Sequence, residues 1–355
     1  MQSEMETDVH SGNKARLAPL RAAMRDFEAA PVRAALEAVV TPDAAVHLGH
    51  PFGDLLGPGP LFDTAYLPLL AAWPDLERRD CIVMAGRDEH GFDWVGCCGC
   101  YTGTFLAPLL DIPPTGHQAA MRFHEFFRFE NGKVAEMQAL WDIPEVMMQA
   151  GSWPMAPSLG REWQVPGPAT QDGVRAGPYD AGQSTASRNL VLEMLEHLQR
   201  CPSQGGPDVM EMERFWHPRM NWYGPAGIGT ARGIAGFRHW HQIPFLNAMP
   251  DRGQHSRGLT FHFFGDGPYA AVTGWPSMRQ TVTADGWLGI APAGKQIELR
   301  SLDFWRLENG LIRENWVLVD LLDVYRQLGV DVLARLREFN KARNMGPIAI
   351  PDGMT

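Results

Sequence analysis

The sequence lacks the short motifs by which several large enzyme classes are recognised. It contains no Gly-x-Gly-x-x-Gly loop, no Walker lysine loop, no His-Glu-x-x-His and no Gly-x-Ser-x-Gly. These motifs hold phosphates, zinc or a nucleophilic serine. Their absence disfavours nucleotide, phosphate-transfer, zinc-protease and serine-hydrolase chemistry.

Long apolar runs and an excess of positive charge are also missing. No stretch approaches the roughly 18 apolar residues that a membrane-spanning helix needs. The net charge of −10 over 355 residues is unfavourable for binding nucleic acid or an acidic membrane. We therefore expect neither a nucleic-acid partner nor a membrane association.

Cysteine is scarce, and its pattern does not suggest a metal site. Zinc sites use two separated pairs of ligands as a rule, whereas Cys97, Cys98 and Cys100 form one cluster. The cluster lies in an alternating, strand-like run, which favours buried thiols. Five cysteines and an acidic N-terminus, MQSEMETDVH, without an apolar run predict reduced thiols and a cytoplasmic protein. We expect no metal site.

One stretch occurs twice. The copies run from Pro114 to Gly151 and from Pro292 to Gly329 at a constant offset of 178, without a gap. More than a third of the aligned positions are identical. Such a match indicates that one fold was duplicated within the chain.

Each copy contains a predicted β-hairpin. Asn131-Gly132 and Asn309-Gly310 separate two alternating runs, and Asn-Gly favours a two-residue turn. Because such a turn fixes the register, we expect Glu125 to face Gln138. In the second copy, Asp303 is expected to face Trp316.

The alternation places one carboxylate in the middle of the more apolar face of each hairpin. These carboxylates are Glu125 and Asp303. An ionised carboxylate in such surroundings needs a partner or water. It is either a structural group bonded to a neighbouring Trp or His, or an acid or base with a raised pKa in a pocket.

A second pair of carboxylates follows the hairpins. Asp142 and Asp320 precede helical runs and are predicted to cap them. The two-residue register also puts them on the same face as Glu125 and Asp303, about 13 Å further along the strand. Their role is therefore helix capping, a part in the site, or both.

The chain divides into two predicted units and a linker. Helical patterns precede strand patterns in residues 14–151 and again in residues 186–341, which indicates an α+β fold. Residues 152–185 are rich in Pro and Gly and are predicted to be a linker that packs through Trp153 and Trp163. A bent antiparallel sheet wrapped on about three helices would form a cone with one open mouth.

Several motifs together resemble a known family. They are Pro-Asp after a helix (Pro74-Asp75 and Pro250-Asp251), Phe-x-Arg-x-Glu-Asn-Gly, a later Asp, and a Gln-x-Gly helix end. This set resembles the SnoaL-like polyketide cyclases of the nuclear-transport-factor-2-like superfamily. The resemblance covers both units and is stronger in the second.

The resemblance implies a fold, a reaction and site residues. The family fold is a cone, and its cyclases act without a cofactor: an aspartate removes a proton next to a carbonyl, and an aldol ring closure follows. The matching residues here are Asp320 and Asp142. Family members often read Glu-His-Trp in the last strand, where this chain has Glu314-Asn315-Trp316.

We therefore expect one of two functions. The first is a cofactor-independent cyclase or isomerase that acts on a small apolar carbonyl compound, with Asp303, Asp320, Asp142 and Glu125 as candidate acids and bases. The second is a non-catalytic module that binds a small ligand or a partner. Candidate substrate-binding residues are Trp316, Trp305, Tyr223, His239, Trp240, His241 and His262 in the second unit, and His47 and Tyr66 in the first.

Family members often dimerise through the outer face of the sheet. The duplication could supply both halves of such a dimer within one chain. We therefore predict an intramolecular pseudo-dimer in which the two sheets pack on each other. Whether a further homo-oligomer forms stays open.

Overall fold

The two copies of the repeat form two units with the same order of elements. The computed structural model describes residues 2–162, 164–343 and 345–349. The first unit contains α1 (Gln2–Ala23), α2 (Ala29–Val39), β1 (Val40–Leu48), β2 (Gly53–Leu56), α3 (Pro58–Leu61), a π-helical turn (Phe62–Tyr66), α4 (Leu67–Ala72), β3 (Glu77–Arg87), β4 (Asp93–Thr104), β5 (Gln118–Glu130), β6 (Lys133–Trp141) and α5 (Ile143–Gln149). Helix α1 thus begins before the predicted start of the unit at residue 14.

The second unit contains α6 (Ala181–Leu198), a 3₁₀ turn (Pro207–Met210), α7 (Met212–Phe215), β7 (Trp216–Tyr223), β8 (Thr230–Arg232), α8 (Gly233–Phe237), a π-helical turn (Arg238–Gln242), α9 (Ile243–Ala248), β9 (His262–Asp266), β10 (Tyr269–Thr273), β11 (Met278–Val282), β12 (Lys295–Leu299), β13 (Ser301–Glu308), β14 (Leu311–Val319), α10 (Leu321–Gln327) and α11 (Val332–Asn340). The π-helical turns occupy corresponding places in the two units. Within the described residues, no helix is long and apolar enough to cross a membrane.

Each unit is built on a six-stranded sheet. The strand orders are β2-β1-β6-β5-β4-β3 and β8-β7-β14-β13-β10-β9, and β11 and β12 form a separate pair. Strands β1 and β6 run parallel, as do β7 and β14. The sheets are therefore mixed, whereas the sequence pattern predicted antiparallel ones. The α+β class and the tandem arrangement are confirmed.

Both hairpins form at the predicted Asn-Gly turns. The residues Asn131, Gly132, Asn309 and Gly310 all have φ between 51° and 76°, as this turn requires. The predicted register fails within a few residues, because one extra residue bulges from each returning strand, Ala135 in β6 and Arg313 in β14.

The bulges shift the pairing by one residue. Glu125 faces Ala139 instead of Gln138, and Asp303 faces Val317 instead of Trp316. A shift by one residue moves every later side chain of the strand to the other face. The expectation that Asp142 and Asp320 share a face with Glu125 and Asp303 is therefore wrong.

The helix caps and the glutamine motif join the hairpin to the following helix. The carboxylates of Asp142 and Asp320 accept hydrogen bonds from the backbone N–H three residues later, which confirms the predicted caps. The Gln149 side chain bonds both the N–H and the C=O of Ala120. Gln327 does the same to Glu298.

The outer faces of the two sheets pack on each other, as predicted. The rings of the equivalent residues Phe126 and Phe304 stack with centroids 4.9 Å apart. Beside them, His124 Nδ1 lies 2.6 Å from the carbonyl oxygen of Leu302, its own equivalent. Contacts between equivalent positions indicate a pseudo-two-fold axis, so the chain forms its own dimer-like interface. Cys98 lies in this buried layer, and Cys97 is buried on the other face of β4.

The Pro/Gly-rich segment runs along this assembly. The Trp316 indole donates to the carbonyl oxygen of Pro166 at 2.9 Å, and Arg161 pairs with Thr230 by two backbone hydrogen bonds. Trp153 packs against the core, as predicted, while Trp163 lies outside the described residues. The segment also bonds the backbone of Val83 in β3 through Gly173 and Arg175, so it contacts both sheets.

Candidate active site

The second unit contains a cavity of about 310 Å³ between the inner face of its sheet and its helices. That volume is within the range of small-molecule sites, which is about 300–1,000 Å³. Aromatic side chains form much of the wall: Trp216, Trp222, Phe237, Phe245, Phe263, Trp287 and Trp305. The polar side chains in the wall include Asp303, Arg252, His241, Gln242, Gln280 and Asn315.

Asp303 is a carboxylate of the cavity wall, to which Glu196 also belongs. The alternation of β13 turns Ser301, Asp303 and Trp305 to the inner face, and all three line the cavity. Burial raises the pKa of Asp303 from its ordinary value of 3.8 to about 7, although hydrogen bonds from Ser301 and Asn315 and the charge of Arg252 oppose the rise. Asp303 is therefore partly ionised near neutral pH.

Two neighbouring side chains hold this carboxylate in place. The Ser301 hydroxyl donates to Asp303 Oδ1 at 2.7 Å. The Asn315 amide is fixed in turn by donation to the carbonyl oxygen of Phe304 at 3.0 Å. Ser301 faces inward because of the alternation of β13. The bulge at Arg313 brings Asn315 of β14 to the same inner face. Neither residue was predicted as part of a site.

His241 and Gln242 supply neutral polar atoms to the wall. The π-helical turn presents the His241 imidazole, which stacks on Trp222 with centroids 4.1 Å apart. Burial lowers the pKa of His241 to about 3, so the ring is neutral. His241 Nδ1 and both amide atoms of Gln242 are buried without a hydrogen-bond partner among the described residues.

The indole N–H groups of Trp216, Trp287 and Trp305 resemble these atoms in their burial and hydrogen bonding. They are buried, belong to residues of the cavity wall and have no acceptor in the described part of the chain. Buried polar atoms without partners are rare, and each calls for an explanation. These residues border the space that a ligand in the cavity would fill.

Other predicted substrate-binding residues lie away from this cavity. Tyr223 and Trp316 are part of the layer between the two sheets. Trp316 lies there because the bulge turns the even-numbered side chains of β14 outward. His262 Nδ1 pairs with Asp88 of the first unit at 2.6 Å. His239 and Trp240 are exposed at the surface.

Asp142 and Asp320, the residues implied by the resemblance, lie at the interface of the units. Asp142 Oδ2 accepts from Arg122 at 2.6 Å and from the backbone N–H of Ala226 at 2.9 Å. Asp320 Oδ2 accepts from Arg300 and from the backbone N–H of His50, both at 3.0 Å. Each thus caps a helix and bonds to the opposite unit.

In the first unit, the carboxylate equivalent to Asp303 is enclosed by other side chains. Glu125, fully buried, accepts from Arg78 at 2.5 Å, from Tyr101 at 2.8 Å and from the Trp141 indole at 3.0 Å. Tyr66 is buried beside Tyr101 and Trp141. His47 lies near the surface and bonds Asp54. Glu125 is therefore a fully paired carboxylate, whereas Asp303 lines a cavity.

Three substitutions between the repeats explain why only one of the two carboxylates faces a cavity. The first unit has Phe123, Met137 and Trp141, and the second has Ser301, Asn315 and Val319 at the positions 178 residues later. Each pair replaces a large apolar side chain by a smaller one, and two of the replacements are polar. The smaller side chains leave space in the second unit. Ser301 and Asn315 also give Asp303 its hydrogen-bonding neighbours.

Comparison with known proteins agrees with the duplicated architecture. A family model described as SnoaL-like polyketide cyclase matches residues 18–150 and again 194–328, together more than half of the chain. No curated protein is similar enough to this chain to count as a relative.

Solved structures align with about one unit's length. AclR from Streptomyces galilaeus is 21% identical over 41% of this chain and 84% of its own, with a TM-score of 0.34. IdmH from Streptomyces antibioticus is 20% identical over 39% and 98%, with a TM-score of 0.33. TsrD from Streptomyces laurentii is 23% identical over 40% and 96%, with a TM-score of 0.31.

Proposed function

Because the chain belongs to the SnoaL-like polyketide cyclase family, we propose that its second unit is a cofactor-independent acid/base enzyme. Asp303 is the base, and the substrate is a small, mainly apolar carbonyl compound. The observation that carries the proposal is the environment of Asp303: a carboxylate with a pKa of about 7 in the wall of an aromatic cavity. A base with a pKa near the working pH is the one best suited to proton transfer.

The reaction needs one group that both accepts and returns a proton. Asp303 takes the proton from the carbon next to a carbonyl, and the C–H electron pair forms the enolate. In a ring closure, the enolate carbon attacks a second carbonyl carbon within the same molecule, and a C–C bond forms. The electrons of that carbonyl move to its oxygen, which takes the proton back from Asp303. In an isomerisation, the proton returns to a different carbon.

The cavity wall contains groups suited to this sequence. The neutral imidazole of His241 and the unpartnered indole N–H groups can donate to carbonyl oxygens without giving up a proton. Burial in the cavity wall favours the uncharged form of Asp303 after it has accepted the proton. The stacking surfaces of Trp222, Phe245 and Trp305 suit a flat ligand.

Exchange of protons for deuterium tests the base without knowledge of the natural substrate. The probe is 2-tetralone, an apolar ketone with protons next to its carbonyl, followed by NMR in D₂O. We expect Asp303→Asn to lower the enzyme-dependent exchange rate by about 100-fold or more. Asp320→Asn is the control variant and should retain most of the exchange rate, provided that circular dichroism shows a folded protein. Loss of exchange in Asp320→Asn alone would transfer the role to Asp320.

A ligand-binding module without turnover is the second candidate. The observation that favours it is Asn315, which stands where family members often have a histidine. An amide cannot relay a proton at neutral pH, but it can hold a carbonyl group. Saturable binding of 2-tetralone with no exchange above the rate in buffer would support this function.

A further inference from the structure

Arg252 occupies a position that is fixed by its neighbours. It follows Asp251, whose carboxylate accepts from the backbone N–H of Thr281 at 2.9 and 3.0 Å. His255 Nε2 also bonds Asp251, at 3.0 Å. The turn after α9 is thus tied to β11, and it directs the Arg252 side chain to the cavity wall, where the guanidinium carbon lies 5.6 Å from the centre of the Phe245 ring.

This guanidinium has no carboxylate partner in the described part of the chain. Among the described residues, none forms an ion pair with Arg252 within 4.0 Å. Burial lowers the pKa of the guanidinium to about 10, and the charge of Asp303 opposes this by favouring the charged form of Arg252. A cation in an apolar cavity attracts an anion strongly, because few polar groups screen it.

Two buried arginines of the chain, Arg78 and Arg306, are paired with carboxylates. Arg78 pairs with Asp80 and Glu125, and Arg306 pairs with Glu308 and Glu314. Each thus has two carboxylates, as buried charges require. Arg252 departs from this pattern, and it lies in the wall of the aromatic cavity.

We propose that Arg252 binds the oxyanion of the ligand, so that the cavity takes flat, apolar molecules in their enolate or phenolate form with the charged oxygen on the guanidinium. The assignment deepens the proposed function and rests on it for the catalytic role of the site. When Asp303 accepts the substrate proton, the negative charge moves from its carboxylate to the enolate oxygen. Arg252 then has an anion beside it, and the net charge of the cavity does not change.

The Asp303→Asn variant offers a direct test, because its neutral amide resembles protonated Asp303 and removes the charge that favours the charged form of Arg252. The probe is 4-nitrophenol, whose ionised form has a distinct absorption band and which titrates near neutral pH. In Asp303→Asn we expect the bound probe to ionise at a lower pH than the free probe. Combining this change with Arg252→Met should remove the shift and weaken binding of the phenolate about 10- to 100-fold.

Two further variants separate the charge from the fold. Arg252→Lys in the Asp303→Asn background should restore part of the shift, whereas Arg257→Met, at an exposed position in the same turn, should leave it unchanged. Replacement of Arg252 by Met breaks no ion pair within 4.0 Å in the described structure, so the variant is expected to fold.

The outcomes are distinct. An unshifted titration of the bound probe, no binding of the phenolate to Asp303→Asn, or a shift that persists without Arg252 would overturn the proposal. Failure of the exchange assay with a normal phenolate shift would remove the enzyme function and leave the oxyanion site intact.

Discussion

Replacing Asp303 by Asn should make the protein more stable at alkaline pH. The folded state holds the proton of Asp303 up to a pH of about 7, whereas an unfolded aspartate loses it near its ordinary pKa of about 3.9. Between these values the folded state binds more protons than the unfolded state, so stability falls as the pH rises. Above the folded pKa, the full cost of the ionised carboxylate is present.

The size of the effect follows from the pKa. A change from 3.8 to about 7 corresponds to about 4 kcal/mol at about 1.4 kcal/mol per pH unit. Asp303 keeps some accessible surface in the cavity, and water there screens the charge, so we expect about 2 to 4 kcal/mol near pH 8. Near pH 4 the wild-type side chain is neutral in the folded state, and the gain should nearly vanish.

The equivalent position in the first unit provides the matched comparison. Glu125→Gln removes the charge that pairs with Arg78, Tyr101 and Trp141. Breaking a buried ion pair leaves an uncompensated charge and costs about 3–5 kcal/mol. The same chemical change, acid to amide, should therefore stabilise one unit and destabilise the other.

Urea denaturation at about pH 4 and about pH 8 measures both effects. Far-ultraviolet circular dichroism and tryptophan fluorescence should be recorded together, because a chain with two units need not unfold in one step. The reasoning is refuted if Asp303→Asn is neutral or destabilising at the higher pH. It is also refuted if its gain is equal at both pH values.

Three other results are expected. The enzyme-dependent exchange of 2-tetralone should rise with pH through a single apparent pKa of about 7 and then level off, because only the ionised base accepts a proton; a rate that falls over this range would contradict Asp303 as the base. Val319→Trp introduces the side chain that the first unit has at Trp141, and the lost space should lower ligand affinity at least about 10-fold. Isothermal titration with 2-tetralone measures this affinity, and an undiminished value would mean that the ligand binds elsewhere. Phe304→Ala removes one ring of the stack between the sheets and should lower the free energy of unfolding by about 3–5 kcal/mol, as measured by urea denaturation. The pH profile of exchange should not change. A loss below about 1 kcal/mol would show that other contacts hold the sheets together.

The architecture could be predicted because the turns and helix ends that connect its elements depend on residues close together in the sequence. An Asn-Gly turn, an aspartate before a helix and a glutamine at the helix end each act over a few residues, and each recurs at the same offset in the two copies. The structure gives every one of these residues a backbone partner or a special φ value. Asp75 of the Pro-Asp motif likewise binds the backbone and hydroxyl of Thr104. Identity between the copies therefore marks what the fold needs.

The bulges could not be predicted from the same pattern. Nothing in the alternation around Ala135 or Arg313 indicates that one residue leaves the ladder there, since both positions are ordinary strand residues beside the turn. The consequence is large, because the extra residue exchanges the faces of the whole strand. It moves Trp316 and Asp320 away from the cavity and brings Asn315 to it.

The site itself is visible in the sequence where the two copies differ. Phe123, Met137 and Trp141 fill the first unit around a carboxylate that is fully paired, while Ser301, Asn315 and Val319 leave room around one that is not. Arg252 follows the shared Pro-Asp motif, but its approach to Asp303 depends on the fold of a turn that no short pattern specifies.

A duplicated chain can divide stability and chemistry between its halves. An ionised carboxylate in an aromatic cavity, an unpaired guanidinium and several unbonded indole groups all lower the stability of the second unit. The first unit has the opposite features: its carboxylate is paired, its core is filled with large side chains, and it meets the second unit across a packed layer of aromatic rings. Since equivalent positions in the two units contact each other along the pseudo-two-fold axis, the filled unit is placed to support the one with the cavity. Loss of the first unit's ion pair should consequently weaken the site in the second, although Glu125 and Asp303 lie on the inner faces of different sheets.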